Sequence, residues 1–138
     1  MTDQGSHSGV TPHLAIPDRR GMEAVAFYTA AFGARELAKM PTDDGRLMHA
    51  HLAINGDSLL LHDEIPEHVD PDRPTGPYHG VTLHLQVDDA DAAWMQAIAA
   101  GATVEMALED QFWGDRYGVL RDPFGHRWSI ASPVKAPA

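Results

Sequence analysis

The hydrophobic pattern of the chain contains the same strand-like phrase twice. Residues 11–17 and 80–87 both contain Thr-x-His-Leu-x-aliphatic, and strict alternation of apolar and polar positions predicts a half-buried strand. Three glycines recur at nearly the same long offset, in the pairs Gly33/Gly101, Gly45/Gly114 and Gly56/Gly125. A long offset shared by several landmarks predicts two copies of one supersecondary unit.

Each copy shows the order strand, helix, strand, strand, strand. Apolar residues at helical spacing predict helices over 22–32 and from Asp88 or Asp89 through Ala100. Gly33 and Gly101 follow these helices and fit a C-terminal stop. The remaining strands are predicted near 35–40, 46–54 and 57–62 in the first copy, and near 103–108, 116–121 and 126–131 in the second.

The segment between the two copies is rich in acidic residues and proline, a composition that predicts a linker over 63–79. We therefore expect a flexible tail over 1–9 and a single domain over 10–135. That domain consists of a module over 10–64, the linker, and a module over 80–132. The linker is long enough for the modules to exchange partners between chains, so a homodimer is expected.

Composition narrows the functional classes. The 138 residues carry a net charge of −10 and no cysteine, which disfavours nucleic-acid binding, disulfides and thiolate metal sites. No apolar run approaches the roughly 18 residues of a membrane-spanning helix. The polar N-terminus does not resemble a secretory signal, so a cytoplasmic protein is expected. The negative charge mildly favours a cationic ligand.

Strand alternation places five of the nine histidines on faces turned away from the helices. They are His13, His49, His51, His62 and His84. If the sheets curve, these faces would line one shared, partly polar cleft. Neutral imidazoles are ligands of Zn, Ni, Fe or Cu. They are also ordinary polar groups that bond to each other, to threonine or to water, and both interpretations stay open here.

Aromatic and charged side chains near the strand ends are further candidates. Exposed aromatic rings can stack on a flat or cationic ligand, and the rings concerned are Tyr78, Phe112, Trp113 and Tyr117. Arg116 either pairs with an anionic group of a ligand or with a neighbouring acid. Glu105 is a potential base if it points into the cleft, and a surface group otherwise.

Four motifs carry a family resemblance. They are Phe27-Tyr28-x-x-x-Phe32-Gly33, the hairpin from Gly118 to Ser129 with Asp122-Pro123-Phe124-Gly125-His126, the segment Phe112 to Gly118, and Trp128-Ser129-Ile130-Ala131. Together they resemble the vicinal oxygen chelate superfamily (glyoxalase I, extradiol dioxygenases, fosfomycin-resistance enzymes and bleomycin-resistance proteins), and within it the PhnB-like branch. The resemblance covers 11–131. It implies an α+β fold in which two βαβββ modules form curved mixed sheets around a shared cleft.

The resemblance also bears on metal binding. Metalloenzymes of that superfamily place His or Gln early in the first strand of each module and Glu in the last. The matching residues here are Thr11, Leu60, Thr82 and Ser129. None is a good ligand, so the resemblance implies that the usual metal site is absent.

The function that these observations favour is small-molecule binding, similar to that of bleomycin-resistance proteins, with antibiotic sequestration as one form of it. The expected ligand-contacting residues are His13, His49, His51, His62, His84, Trp113, Arg116 and Ser129. The alternative is a lyase, isomerase or dioxygenase that depends on a divalent metal ion, with a shifted site that uses His13 and His84. Whether the protein is an enzyme stays open at this point.

Overall fold

The computed structural model of the protein describes residues 9–64 and 77–135. The chain divides into two compact units, Met1–Thr75 and Gly76–Ala138. In the described residues each unit holds one helix and one four-stranded mixed sheet, as the α+β prediction required. Most of the predicted linker and of the N-terminal tail lies outside the described residues.

The first unit follows the predicted order of elements. They are β1 (His13–Ile16), α1 (Gly21–Phe32), β2 (Arg35–Pro41), β3 (Leu47–Ile54) and β4 (Asp57–Asp63). The sheet order is β1-β4-β3-β2, with β1 parallel to β4 and the other pairs antiparallel. Buried apolar residues on alternate strand positions, including Ile16, Leu52 and Leu61, form the core under α1. Gly33 ends α1 in the left-handed conformation, with φ of 66°, as predicted.

The start of α1 is tied to the last strand of its own sheet by Asp63. This carboxylate is 1% exposed and accepts hydrogen bonds from the backbone N–H groups of Gly21 and Leu47, both at 2.6 Å. A Cβ on Gly21 would lie 2.8 Å from Asp63 Oδ1, so only glycine fits there. Asp63 ends β4, in the short stretch where the predicted module over 10–64 and the predicted linker over 63–79 overlap.

The second unit repeats the plan. Its elements are β5 (Leu83–Gln86), α2 (Ala90–Ala100), β6 (Thr103–Asp110), β7 (Asp115–Arg121) and β8 (Arg127–Pro133). The sheet order is β5-β8-β7-β6, with β5 parallel to β8. Of the two predicted caps, Asp89 is the one used, since its side chain accepts a hydrogen bond from the N–H of Ala92 at 3.1 Å.

The helix anchor is also repeated. Ser132 Oγ in β8 accepts a hydrogen bond from the N–H of Ala90, the first residue of α2, at 3.1 Å. Ser132 follows Asp63 along the chain at the same offset as Ala90 follows Gly21. The two modules therefore close their helices onto their last strands at equivalent positions, with a carboxylate in one and a hydroxyl in the other.

Pairing partners and bulges displace some predicted boundaries and one predicted face. β1 and β5 are shorter than predicted, because their ladders begin only at the pairs His13/Leu60 and Leu83/Trp128. The register between β2 and β3 shifts between Met40 and Pro41. Leu47 is buried and Met48 is 55% exposed, whereas strict alternation along β3 would place Met48 on the apolar face with Ala50 and Leu52.

The turn at the end of the second module explains one of the sequence motifs. Asp122 is buried, and its Oδ1 accepts hydrogen bonds from the N–H groups of Phe124 and His126, both at 2.9 Å. Its Oδ2 accepts a hydrogen bond from Nε1 of Trp128 at 2.9 Å. Trp128 is 3% exposed and belongs to the core of this unit. Asp122 thus holds the last hairpin closed.

Candidate functional site

Each sheet has one face that packs on its helix and one that is turned away from it, which we call the distal face. In the first unit the distal face carries His13, His49, His51, Ser58 and His62. In the second unit it carries Thr82, His84, Gln86, Glu105, Tyr117, Arg121, Arg127 and Ser129. The alternation in the sequence predicted the four histidines of the first face and His84 of the second.

Three imidazoles on the first distal face lie close together. The ring centroids of His13 and His62 are 4.8 Å apart and those of His13 and His49 are 6.5 Å apart, both pairs being edge to face. They come from β1, β4 and β3, which are adjacent in the sheet. Burial lowers the pKa of His13, and repulsion from His62 and His49 lowers that pKa further. The cluster therefore favours neutral His13.

Two of these rings each have a nitrogen that accepts no hydrogen bond within the described residues. His62 Nδ1 lies 2.7 Å from the carbonyl oxygen of Asp63. A carbonyl only accepts, so Nδ1 carries a proton and Nε2 keeps its lone pair in the neutral ring. His49 Nε2 is buried and has no hydrogen-bond partner among the described residues. The face thus offers two imidazole nitrogens that the sheet itself does not use.

His51 differs from the other three histidines of this face. It is only 2% exposed, and its Nε2 lies 2.8 Å from Ser58 Oγ. Sequence alternation gave the correct face but could not give its burial. The ring of His51 is therefore almost completely covered in this unit.

A relay of hydrogen bonds crosses the second distal face. His84 Nδ1 lies 2.7 Å from Ser129 Oγ, and His84 Nε2 lies 2.8 Å from Gln86 Oε1. The Gln86 amide nitrogen lies 3.5 Å from Asp115 Oδ1. Asp115 accepts only, so it orients the amide with Oε1 toward His84. That oxygen then requires a proton on His84 Nε2, which leaves Nδ1 to accept from Ser129.

Aromatic rings continue from this relay to a hairpin tip. His84 and Tyr117 are stacked, with centroids 6.0 Å apart and an interplanar angle of 20°. Trp113 meets Tyr117 edge to face at 5.5 Å, and Phe112 meets Trp113 at 5.2 Å. Trp113 is 51% exposed and Phe112 is 97% exposed. The predicted exposure of these loop aromatics is confirmed, and Tyr117 joins them to the histidine.

At the other end of the same face two arginines share one carboxylate. Arg121 Nε and Arg127 Nε each donate to Glu105 at 2.8 Å. Partial burial, the largest single influence, raises the pKa of Glu105, but the hydrogen bonds and charges of Arg121 and Arg127 together lower that pKa below its ordinary value. Glu105 lies on the distal face, as the base hypothesis required, yet the lowered pKa makes it a poor proton acceptor.

Sequence reasoning did not identify this arginine pair. Arg121 and Arg127 are directly opposite each other on β7 and β8. The only available signal was alternation, which puts Arg127 on the face of Ser129 and Arg121 on the face of Tyr117.

Arg116 lies on the opposite side of the second sheet. Its guanidinium forms ion pairs with Asp91 of α2 at 3.1 Å and with Asp110 at 3.2 Å. It was predicted either to contact a ligand or to pair with a nearby acid, and the described contacts are of the second kind. Alternation along β7 already separates Arg116 from Tyr117, so the two residues cannot share a face.

The described residues do not fit the divalent metal ion of the metalloenzymes that the sequence resembles. Within 9–64 and 77–135 no group of three or more His, Asp or Glu side chains is arranged to hold a metal ion. Both ring nitrogens of His84 are bonded to protein groups. Ser129, at one of the family's ligand positions, is itself the partner of His84. The donors of the second distal face are therefore committed to one another rather than available to a metal.

No helix in the described part of the chain is long and apolar enough to cross a membrane.

Comparisons with known proteins agree with the fold. The sequence profile of the Glyoxalase/Bleomycin resistance protein/Dioxygenase superfamily matches residues 11–130. The uncharacterized protein Mb0911c of Mycobacterium bovis is 48% identical over 129 residues, which cover 91% of this chain and 84% of that protein.

Two solved structures are similar over nearly their whole length. TioX from Micromonospora sp. ML1 has a TM-score of 0.69 and 29% identity, with 95% of this chain and 100% of TioX covered. The PhnB protein from Bacillus cereus, a putative 3-demethylubiquinone-9 3-methyltransferase, has a TM-score of 0.71 and 20% identity, with 91% and 99% covered. The second likeness concerns the fold alone.

Proposed function

Because the chain belongs to the Glyoxalase/Bleomycin resistance protein/Dioxygenase superfamily, we propose that it binds a small molecule with a flat aromatic ring, with sequestration of an antibiotic as one form of this role. The observation that carries the proposal is the ladder of rings on the second distal face, His84 on Tyr117 and Tyr117 against Trp113. A flat ligand would extend this ladder at its exposed end.

The ladder is held ready for a ligand. His84 is fixed through both ring nitrogens, and Tyr117 lies in the middle of β7, so little side-chain freedom is lost when a ligand binds. Trp113 is half exposed beside them, and a ring stacked there removes apolar surface from water while making favourable ring contacts.

The charge near the ladder favours a cationic ring. Asp115 follows the hairpin tip directly, and among the described residues its Oδ1 accepts a long hydrogen bond, from the amide of Gln86 at 3.5 Å. The chain carries a net charge of −10. Both the local carboxylate and the overall field attract a cation, and aromatic faces add to that attraction.

The histidine face of the first unit is the second proposed ligand-contacting surface. His13, His49 and His62 present clustered imidazoles there, including the unpartnered Nε2 of His49. His51 and Ser129 are each 2% exposed and are proposed to position other groups. Arg116 is proposed to stabilise the contact of β7 with α2, not to contact the ligand.

The alternative of a metal-dependent enzyme needs His13 and His84 to release their nitrogens to a divalent ion. The bonds that His84 makes to Ser129 and Gln86 oppose this, and they favour ligand binding instead. Elemental analysis of tag-free protein purified without chelators separates the two. About one equivalent of Ni, Zn, Fe, Co or Mn per chain, lost in His13→Ala, would establish the alternative.

The binding proposal is tested with 9-aminoacridine, a flat monocation, by isothermal titration calorimetry. Trp113→Leu and Tyr117→Leu should each weaken binding about tenfold, which corresponds to about 1.4 kcal/mol. Trp94→Phe is the matched control, because Trp94 contacts Gly118 on the helix side of the same sheet. Equal affinity in the wild type and both ladder variants would contradict the proposal.

A further inference from the structure

We infer that the second distal face also binds an acidic group of the ligand, a carboxylate or another oxyanion, at Arg127. The inference deepens the proposed function and rests on it, since the aromatic ladder would hold the other end of the same molecule.

The charge balance at this end of the sheet is uneven. Glu105 is the single carboxylate bonded to the guanidinium groups of Arg121 and Arg127 among the described residues. Two cations and one anion leave one unmatched positive charge, in a chain whose net charge is −10. A local charge of the opposite sign to the whole protein has a specific attraction for an anionic group.

The unmatched charge belongs to Arg127 and not to Arg121. Arg121 is only 13% exposed, and its Nη1 donates to the carbonyl oxygens of Tyr78 and Gly125 at 2.7 and 2.8 Å. Its Nε and Nη2 are both directed at Glu105. The donors of Arg121 are therefore committed within the fold.

Arg127 is held but not saturated. Its Nε donates to Glu105, its Nη1 donates to Thr82 Oγ1 at 3.0 Å, and its Nη2 has no partner in the described part of the chain. The side chain is 40% exposed. A guanidinium fixed on two sides with its remaining N–H groups open can bind an oxyanion at low entropic cost, because its fork is already oriented.

The spacing along the sheet defines the ligand. Arg127 pairs with Arg121, and Ala131, four residues further along β8, pairs with Tyr117. Four residues of strand span about 13 Å. His84 and Ser129 lie between the two ends. The expected ligand thus carries a flat ring, cationic or neutral, and an acidic group about 13 Å along the sheet.

The test compares two probes that differ only in the acidic group, 6-(acridin-9-ylamino)hexanoic acid and its primary amide. Calorimetry at low ionic strength should show the acid binding about tenfold more tightly than the amide. Arg127→Gln should abolish that preference while leaving the affinity for the amide unchanged. Arg116→Gln, which removes an arginine from the opposite side of the same strand pair, should retain the preference.

Each outcome is decisive. Equal affinities for acid and amide in the wild type would overturn the acidic-group site and leave the aromatic site standing. Failure of both probes, and of 9-aminoacridine, would overturn the proposed function together with this inference. If Arg127→Gln does not fold, the Nε–Hε resonance of Arg127 in the wild type decides, since it should shift with the acid and not with the amide.

Discussion

At the scale of single residues, hydrogen bonds on the second distal face determine which nitrogen of His84 carries a proton. Asp115 orients the Gln86 amide, the Gln86 carbonyl oxygen accepts from His84 Nε2, and His84 Nδ1 accepts a hydrogen bond from the Ser129 hydroxyl. Each step follows from which atoms can only accept. A ring fixed in one tautomer gives a ligand a constant surface to stack on.

We expect neutral His84 to carry its proton on Nε2. Long-range ¹H–¹⁵N correlation spectra at pH 8 should show a protonated Nε2 and an unprotonated Nδ1. Asp115→Asn frees the Gln86 amide to turn over, so a mixture of tautomers should appear. His126→Gln, in the last hairpin, is the control and should leave the His84 signals unchanged. A protonated Nδ1 in the wild type would disprove the relay.

The histidine cluster of the first unit makes stability depend on pH. The pKa of His13 in the folded protein is below its ordinary value of 6.5, through burial first and then repulsion from His62 and His49. Between the folded and unfolded values the unfolded chain binds more protons, so stability falls as pH falls through that window and then levels off. The ring is only partly buried, so we expect a small effect on stability.

His62→Gln should raise the pKa of His13 toward 6.5 without reaching it, because burial, the larger cause, remains. The measurement is an NMR titration of the His13 Cε1 proton between pH 4 and pH 8. His84→Gln, in the other unit, serves as the comparison variant. A lower His13 midpoint in His62→Gln would contradict the repulsion that the geometry implies.

Residue faces could be predicted from the sequence, but contacts could not. Alternation by itself places His13, His49 and His62 on one face. The pairing of β6 with β7 shifts register between Val104 and Met106 and again between Met106 and Glu109, so the partners of Glu105 could not be derived from alternation alone. A bulge moves a side chain to the other face without leaving a clear mark in the sequence.

At the scale of elements, the helices are defined by their first residues as much as by their apolar stripes. Asp63 binds the start of α1 from inside the core, whereas Asp89 caps α2 from its own exposed N-terminus. The helices and most strands were predictable, since periodicity and glycine stops are local signals. The role of Asp63 was not, because its partner Gly21 is 42 residues away.

Asp63 and Asp89 should contribute unequally to the stability of the protein. Asp63→Ala leaves two buried N–H groups without an acceptor and should reduce the free energy of unfolding by about 3 kcal/mol. Asp89→Ala removes one exposed cap and should cost about 1 kcal/mol. Urea unfolding followed by circular dichroism measures both, and hydrogen exchange at Gly21 and Leu47 localises the first. Equal losses in the two variants would refute the distinction.

At the scale of the whole molecule, the two units have the same order of elements, but their helices bury different numbers of residues. Helix α1 buries six residues, whereas α2 buries only Ala90 and Ala97. In the second unit Met95 is 68% exposed and Val104 is 52% exposed. Large apolar side chains exposed to this extent, one on the helix and one on the edge strand β6, are candidates for coverage by another chain.

We expect the chain to form a homodimer through this part of the second unit. Light scattering after size-exclusion chromatography should give a mass twice that of one chain. The double variant Met95→Glu, Val104→Asp should reduce the mass to that of a single chain. Met48→Glu, at a residue 55% exposed in the first unit, should not. A wild-type mass equal to that of one chain would contradict the expected homodimer.

The helix anchors Asp63 and Ser132 affect how such a protein can evolve by recombination. Each ties a helix to the last strand of its own module, so these bonds close within one continuous stretch of coding sequence. A genetic crossover between the codons of Glu64 and Pro77 would transplant a module with its helix anchor intact. Related genes could therefore recombine their halves and test new pairs of binding faces without first rebuilding either fold.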